Sequence, residues 1–300
     1  MVSVVIPTRD RAALLKRAIA AVLGQDYLGE IECVVVFDQS PPELPEDLAI
    51  PPRRRLRAIS NRRTPGLAGA RNTGIVVARG QLVAHCDDDD EWLPAKLSTQ
   101  ISDLATAPEC SVATSGIITV TSRRSRDRVI PQRLITHDML LRSRIMEAHS
   151  STLLIRREAL DRVGLVDEHI PDSYAEDYEW LLRASADGPL LVTQRPLVRV
   201  AMNPGSHFST QWTSIVDANH YLIRRHPDLA GDAVGLARIC GRVAIAEAAL
   251  GHRKRACRYA GRSLRLQPRQ LRGFVALAIS AGLVRPDEAV RIANAFGRGI

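Results

Sequence analysis

The chain has 300 residues, 45% of them apolar and only 4% aromatic, with a formal net charge of +8. That length and apolar content suit a sizeable core of Leu, Ile, Val and Ala, in one large or two smaller domains. Five scattered cysteines without a CxxC argue against a disulfide framework or a zinc site. The longest apolar run, 274–284, falls short of the ~20 residues of a membrane span. Such cysteine usage fits a reducing compartment. The arginine excess suits an anionic partner: nucleic acid, a membrane surface or a phosphorylated substrate.

The first half alternates strands with helices. The opening MVSVVIPTRDR lacks a basic leader and a long apolar core, so it reads as a strand over 2–6 rather than a signal peptide. RAALLKRAIAAVLGQ carries apolar residues at helical spacing and ends at Gly24. IECVVVF (31–37) is a second strand, followed by a Pro-rich loop (41–52) and a third strand, RRLRAIS. PGLAGARNTGIVVARG reads as a helix and QLVAHC as a fourth strand. PAKLSTQISDLAT reads as a helix with Pro94 at its first position. This alternation predicts a parallel sheet wrapped by helices, with ligands outside the carboxyl ends of the strands.

The middle is mixed. CSVATSGIITVTS predicts a strand, SSTLLIRREALDRVG a strand running into a helix, and YAEDYEWLLRASADG a helix. PLLVTQRPLVRVAM predicts two short strands around Pro196. From about residue 212 the pattern is helical, with 15 Lys or Arg against 6 Asp or Glu over 215–300. AIAEAALGHRKRACRYAGRSLRLQP has the small-residue spacing of one tetratricopeptide-type helix pair, but no second copy follows, and an ordinary amphipathic bundle explains it at least as well.

CDDDDEW (86–92) places like charges at a strand end, where water, raised pKa values or a cation must relieve them. On an extended segment Asp87 and Asp89 point the same way, half a site for a hard divalent cation. Asp90 and Glu91 are expected to lead into the next helix, where the dipole favours negative charge. Asp38 follows a buried strand, as a turn residue or as an acceptor for a nucleobase N–H. Arg71 could meet phosphate oxygens or form a surface salt bridge. Glu176 and Asp177 open a helix, as dipole partners or with one of them as a general base. The histidines show no metal spacing, although His207 follows the candidate base and could approach a cation. No Walker loop, GxGxxG or GxSxG occurs. IPTRDRA has no glycine, which argues against a nucleotidyltransferase phosphate loop.

Taken in order, VSVVIPTRDRAALLKRAIAAVLGQ, VVVFDQS, GLAGARNTGIVVARGQLVAHCDDDDEWLPAKL, RREALDRVGLVDEHI and AEDYEWLLRAS resemble family 2 glycosyltransferases. The resemblance covers roughly residues 2–210. It implies a GT-A fold, a Rossmann-like mixed sheet flanked by helices, over 1–210, with a basic α-helical region over 211–300. It also implies an inverting, metal-dependent transfer of a sugar from a nucleoside-diphosphate sugar to an acceptor hydroxyl. Pro7, Thr8, Arg9 and Asp38 would hold base and ribose, Asp88 would touch the ribose, and Asp87 and Asp89 would form the DxD pair around Mn2+ or Mg2+. Asp89 would be the direct metal ligand and Asp177 the base. Two departures stand out. Arg9 occupies a position that is often aromatic in the family, and Phe37 replaces the first of two paired aspartates. The acceptor is expected to be a glycan, lipid-linked sugar or small molecule, in the cytoplasm, with peripheral membrane contact through the basic helices left open and no nucleic acid expected. The competing reading is a non-catalytic transferase-like module that docks to a membrane or a protein.

Overall fold

A computed structural model describes residues 1–121, 124–201 and 211–289. The elements run in chain order as follows: β1 (Val2–Thr8), α1 (Ala12–Leu23), β2 (Ile31–Phe37), β3 (Arg54–Ser60), α2 (Leu67–Val77), β4 (Leu82–His85), β5 (Glu91–Trp92) and α3 (Lys96–Ala105). There follow β6 (Val112–Val120), β7 (Ser125–Arg128), β8 (Leu134–Ile135), α4 (His137–Arg142), β9 (Leu154–Arg156), α5 (Arg157–Val163), α6 (Glu176–Asp187) and β10 (Leu190–Ala201). The helices α7 (Trp212–Arg225), α8 (Asp228–Gly231), α9 (Ala233–Ala249), α10 (Arg253–Leu266) and α11 (Leu271–Ser280) complete the described chain.

The strands form one mixed sheet in the order β3-β2-β1-β4-β9-β6-β10-β5, with β7 on β6 and β8 on β10. The β3-β2-β1-β4 part is parallel, as the βαβ alternation requires. Its two most apolar strands, β1 and β2, are buried along their whole length, which is why they read as nearly continuous apolar runs; the polar residues inside them, Ser3 and Glu32, hydrogen-bond to each other at 2.7 Å. β9 then turns the sheet antiparallel on both of its sides. Pro7 sits inside β1 without breaking a ladder. Pairing with β4 stops at Val5, so its missing N–H leaves no partner stranded on that side.

Two local expectations fail. Residues 190–201 make one strand, with register shifts between Thr193 and Val198 that absorb Pro196 as an irregularity. Asp90 and Glu91 do not lead into a helix. Glu91 and Trp92 pair antiparallel with β10, and α3 begins only at Lys96, two residues after Pro94.

The described chain divides into two compact units. One comprises Met1–Leu140, Ile145–Glu168 and Glu176–Met202; the other comprises Leu141–Arg144, His169–Ala175 and Asn203–Ile300. In the first, α1 packs Leu15, Ile19 and Leu23 onto the sheet core around Val4, Ile6, Cys33 and Val35. α2 lies close on β1 and β2: a Cβ at Gly74 would meet Val5 Cγ1 at 2.3 Å and Val36 Cγ2 at 3.1 Å. In the second, Ala244, Ala256, Ala260 and Ala276 let α9, α10 and α11 pack together through small side chains. Among the described residues no helix is long and apolar enough to cross a membrane.

Candidate functional site

Chain order runs outward from β1 through β2 to β3, then returns to the other side of β1 for β4. That reversal is a topological switch point, where a crevice opens at the carboxyl ends of the strands. Thr8, Asp38 and Asp87 to Asp90 follow the ends of β1, β2 and β4 at this edge.

The aspartates do not continue as a strand. Asp90 N–H donates to the Asp87 carbonyl at 3.1 Å, closing a turn. A turn brings its first and fourth residues together, so Asp87 converges with Asp90 instead of pairing with Asp89 along an extended segment. His149 completes the group: one ligand atom from each of Asp87, Asp90 and His149 lies within 4.8 Å of the others. Asp90 Oδ2 is buried without a hydrogen-bond partner and lies 3.3 Å from His149 Nδ1. Burial pushes the Asp90 carboxyl up to about 7, with His149 pulling against it. An orphaned, buried carboxylate oxygen between a second carboxylate and an imidazole fits a divalent cation.

Asp87 is held from several sides. Arg71 Nη2 donates to its Oδ1 at 2.5 Å and Ser150 Oγ to its Oδ2 at 3.0 Å, while its own N–H donates to Ser151 Oγ at 2.9 Å. Burial pulls this carboxyl upward, but the charges of Arg71 and His149 and these hydrogen bonds hold it at about 2. Arg71 is itself buried, so it forms no surface salt bridge. Its Nη1 arm binds Glu176 at the start of α6, and its Nη2 also reaches Ser150 at 2.9 Å. The guanidinium thus joins α2, the β4 turn and α6.

Asp88 and Asp89 are met by residues at the end of β1 and the start of α1. Thr8 Oγ1 donates to Asp88 Oδ2 at 2.7 Å, and Arg11 reaches Asp88 at 3.1 Å and Asp89 at 3.2 Å. Burial raises Asp88 to about 6 despite the Thr8 hydrogen bond and the Arg11 charge. Asp89 is raised by burial and by the neighbouring Asp87, while its side chain stays about one-third exposed. Arg9 is exposed beside Asp10, and Pro7 is buried within β1.

Asp38 is buried and organises the next loop. It accepts from Asn61 Nδ2 at 2.8 Å, Gly66 N–H at 3.0 Å and Gln39 Nε2 at 3.0 Å. A carboxylate offers about four acceptor positions, so one is left. Asn72 pairs with the backbone of Val166 in both directions, at 2.8 and 2.9 Å, imitating a peptide group. Glu168 accepts from Asn72, Arg63 and Thr64, and these hydrogen bonds hold it at about 2 against the upward pull of burial. Asp177 follows Glu176 in the first turn of α6, half-buried, and accepts the Tyr178 N–H at 2.7 Å. His207 lies outside the described residues.

Sequence reasoning missed Asp90 as part of the group, along with His149, Ser150, Arg11, Asn61 and Glu168. A charged residue three positions past Thr8 could have pointed to Arg11. Nothing in the periodicity marks His149, which reaches the turn from a separate segment.

Comparisons with known proteins bear on the family and the fold. Residues 3–164 match the family model described as Glycosyl transferase family 2. The putative colanic acid biosynthesis glycosyl transferase WcaA of Escherichia coli (strain K12) is 36% identical over 100 residues, 33% of this chain and 36% of that protein. The E. coli UDP-Glc:alpha-D-GlcNAc-diphosphoundecaprenol beta-1,3-glucosyltransferase WfgD is 32% identical over 102 residues, 34% of this chain and 40% of that protein. The chain therefore spans well under half the length of these relatives. Among solved structures, S. aureus TarS 1-349 in complex with UDP-GlcNAc aligns with 99% of this chain and 92% of its own, at TM-score 0.60 and 17% identity. The mannosyltransferase PcManGT from Pyrobaculum calidifontis, in complex with GDP-Man and Mn2+, aligns with 99% and 87%, at TM-score 0.57 and 19% identity. At that identity the likeness shows the fold, a GT-A mixed sheet flanked by helices. With more than half its length inside the matching model, the chain belongs to glycosyl transferase family 2.

Proposed function

We propose that the protein is a divalent-metal-dependent inverting glycosyltransferase, moving a sugar from a nucleoside-diphosphate sugar to the hydroxyl of a lipid-linked acceptor in surface polysaccharide synthesis. Residues 1–210 would form the transferase domain and 211–300 a basic helical region. One observation carries the reading: four adjacent aspartates at the switch point, one held ionised by Arg71 and three raised by burial, with an orphaned oxygen on Asp90. Such a set is incomplete without a cation. The name of WfgD specifies an undecaprenol-linked acceptor, which supports the acceptor class.

Pro7, Thr8, Arg9 and Asp38 would line the base and ribose, and Asp88, oriented by Thr8, would accept from the ribose. Arg9 has the exposure and the planar cation needed to stack on a base. Asp87 and Asp89 would hold the cation, with Asp90 and His149 extending the donor set. When bound, the cation neutralises charge on the departing diphosphate. Arg71 keeps Asp87 ionised and fixes its rotamer. Asp177 would accept the proton of the acceptor hydroxyl as its oxygen attacks the anomeric carbon from the opposite face, so one displacement inverts configuration.

A thermal-shift screen of nucleoside diphosphates with and without Mn2+ or Mg2+ tests this. A cation-dependent stabilisation by one nucleotide, with donor hydrolysis under the same conditions, is expected. Nucleotide binding that is indifferent to cations would refute the metal-dependent reading. Intact donor would favour a non-catalytic module.

A further inference from the structure

We propose that the outer faces of α10 and α11 form a docking surface for an anionic lipid bilayer. α11 turns Gly273, Ala276 and Ile279 inward and leaves Leu271, Phe274 and Leu277 exposed, at 60%, 52% and 36%, with Leu283 just beyond at 79%. Leu271, Phe274 and Leu277 share one arc of the helical wheel, and no charged residue interrupts it. Exposed large apolar side chains scattered singly need no explanation, whereas a continuous row of them on one helix does.

Basic residues surround the row. Leu264 of α10 packs against Gly273 of α11, where a Cβ would meet its Cγ at 2.8 Å, so the two helices lie side by side. α10 buries Ala256, Ala260 and Ser263 and exposes Lys254, Arg258, Arg262 and Arg265, with no acidic residue anywhere along it. Among the described residues, Arg255 alone of the α10 cations has a carboxylate within ion-pair distance, Glu247 at 3.9 Å. Arg269 and Arg285, both exposed, bracket α11 at its two ends.

Charge complementarity and apolar content together select the occupant. A row of Leu and Phe edged by Lys and Arg is the pattern of a helix lying in a membrane interface, with apolar side chains at the acyl boundary and cations at anionic headgroups. Nucleic acid would satisfy the cations but would gain nothing from exposed leucines and only one aromatic side chain for stacking. A two-fold dimer through this face would set one basic stripe against its own copy.

The test is co-sedimentation of the full chain with vesicles of phosphatidylcholine alone and of phosphatidylcholine with phosphatidylglycerol. Binding is expected only with phosphatidylglycerol, and it should weaken as salt rises. Phe274→Glu, and separately the triple change Lys254→Glu, Arg258→Glu and Arg265→Glu, should each reduce partitioning by about tenfold or more, given the contribution of each cation near such a surface. Phe274→Leu should retain it. All these side chains are exposed, so melting temperatures should stay near wild type. Absence of lipid-dependent binding, equal binding to both vesicles, or indifference to both charge and apolar variants overturns the proposal. So does a dimer that Phe274→Glu dissolves while vesicles stay unbound, or full displacement from vesicles by RNA. Donor hydrolysis by the same variants reads the transferase site separately, so either reading can fail alone.

Discussion

Arg71 and Glu176 form a buried ion pair, and the same guanidinium holds Asp87 at 2.5 Å. One cation thus stands between two carboxylates on different elements, and the turn that carries the acidic group is anchored to the helix that carries Asp177. Arg71→Ala would leave Glu176 buried without its guanidinium partner and Asp87 with only His149 as a basic partner beside it, at a cost of about 3–5 kcal/mol. Urea denaturation measures this; an unchanged midpoint would show that the pair adds no stability. Arg71→Lys should rescue only part of the loss, because a point charge cannot span both partners as a planar fork does.

Asp89→Ala and Asp177→Asn should each abolish sugar transfer. Asp177→Asn keeps shape and should leave donor binding measurable by calorimetry, separating proton acceptance from binding. Full turnover in either variant would remove that residue from its assigned role.

The seat of the cation can be located. If Asp90 and His149 share it with Asp87, Mn2+ without nucleotide should raise the melting temperature by linkage, and Asp90→Asn or His149→Ala should lower that rise. A shift that requires nucleoside diphosphate and responds only to Asp89→Ala would place the cation on the solvent side of the turn.

Gly74→Ala should destabilise the protein by about 1–3 kcal/mol through overpacking. The added methyl would strike Val5 and Val36, side chains fixed in the centre of the sheet. A neutral effect would mean that α2 can lift away at little cost.

Lys96 predicts a pH dependence. It is fully buried, donates to Gln100 Oε1 at 2.7 Å and lies 3.9 Å from the centre of the Trp92 ring. Burial lowers its pKa from 10.5 to about 7. Folding therefore favours the neutral amine. The stability that this contributes is full above 10.5, declines as pH falls towards 7, and is flat below that. Lys96→Met should remove the dependence. Relative to this variant, the wild type should gain stability as pH rises through that window; parallel stability profiles would contradict the assignment.

The strands were readable from sequence where burial was two-sided. VSVVI and IECVVVF announce β1 and β2 because both faces of those strands need apolar residues. The ends of those strands located the site, since an α/β sheet leaves its carboxyl edge open. What could not be read was the path after Cys86. Extended backbone pairs Asp87 with Asp89, whereas a turn pairs Asp87 with Asp90, and the choice rests on Ser150, Ser151 and His149 arriving from a distant segment. The same holds for Glu91 and Trp92, whose strand exists only because β10 lies beside them. Pro196 suggested a break, but the β6–β10 pairing resumes beyond it and carries one strand through the irregularity.

The distribution of thiols gives the molecule a built-in spectroscopic handle. Cys33, Cys86, Cys110 and Cys240 are buried, with their ionisation suppressed, whereas Cys257 is exposed on α10. Thiolate reactivity follows access and acidity, so a maleimide dye should attach at Cys257 alone in the native state. It sits in the same helix, next to Arg258 and about one turn after Lys254 of the basic stripe. An environment-sensitive fluorophore there would record, without any mutation, whether that helix leaves water when vesicles are added.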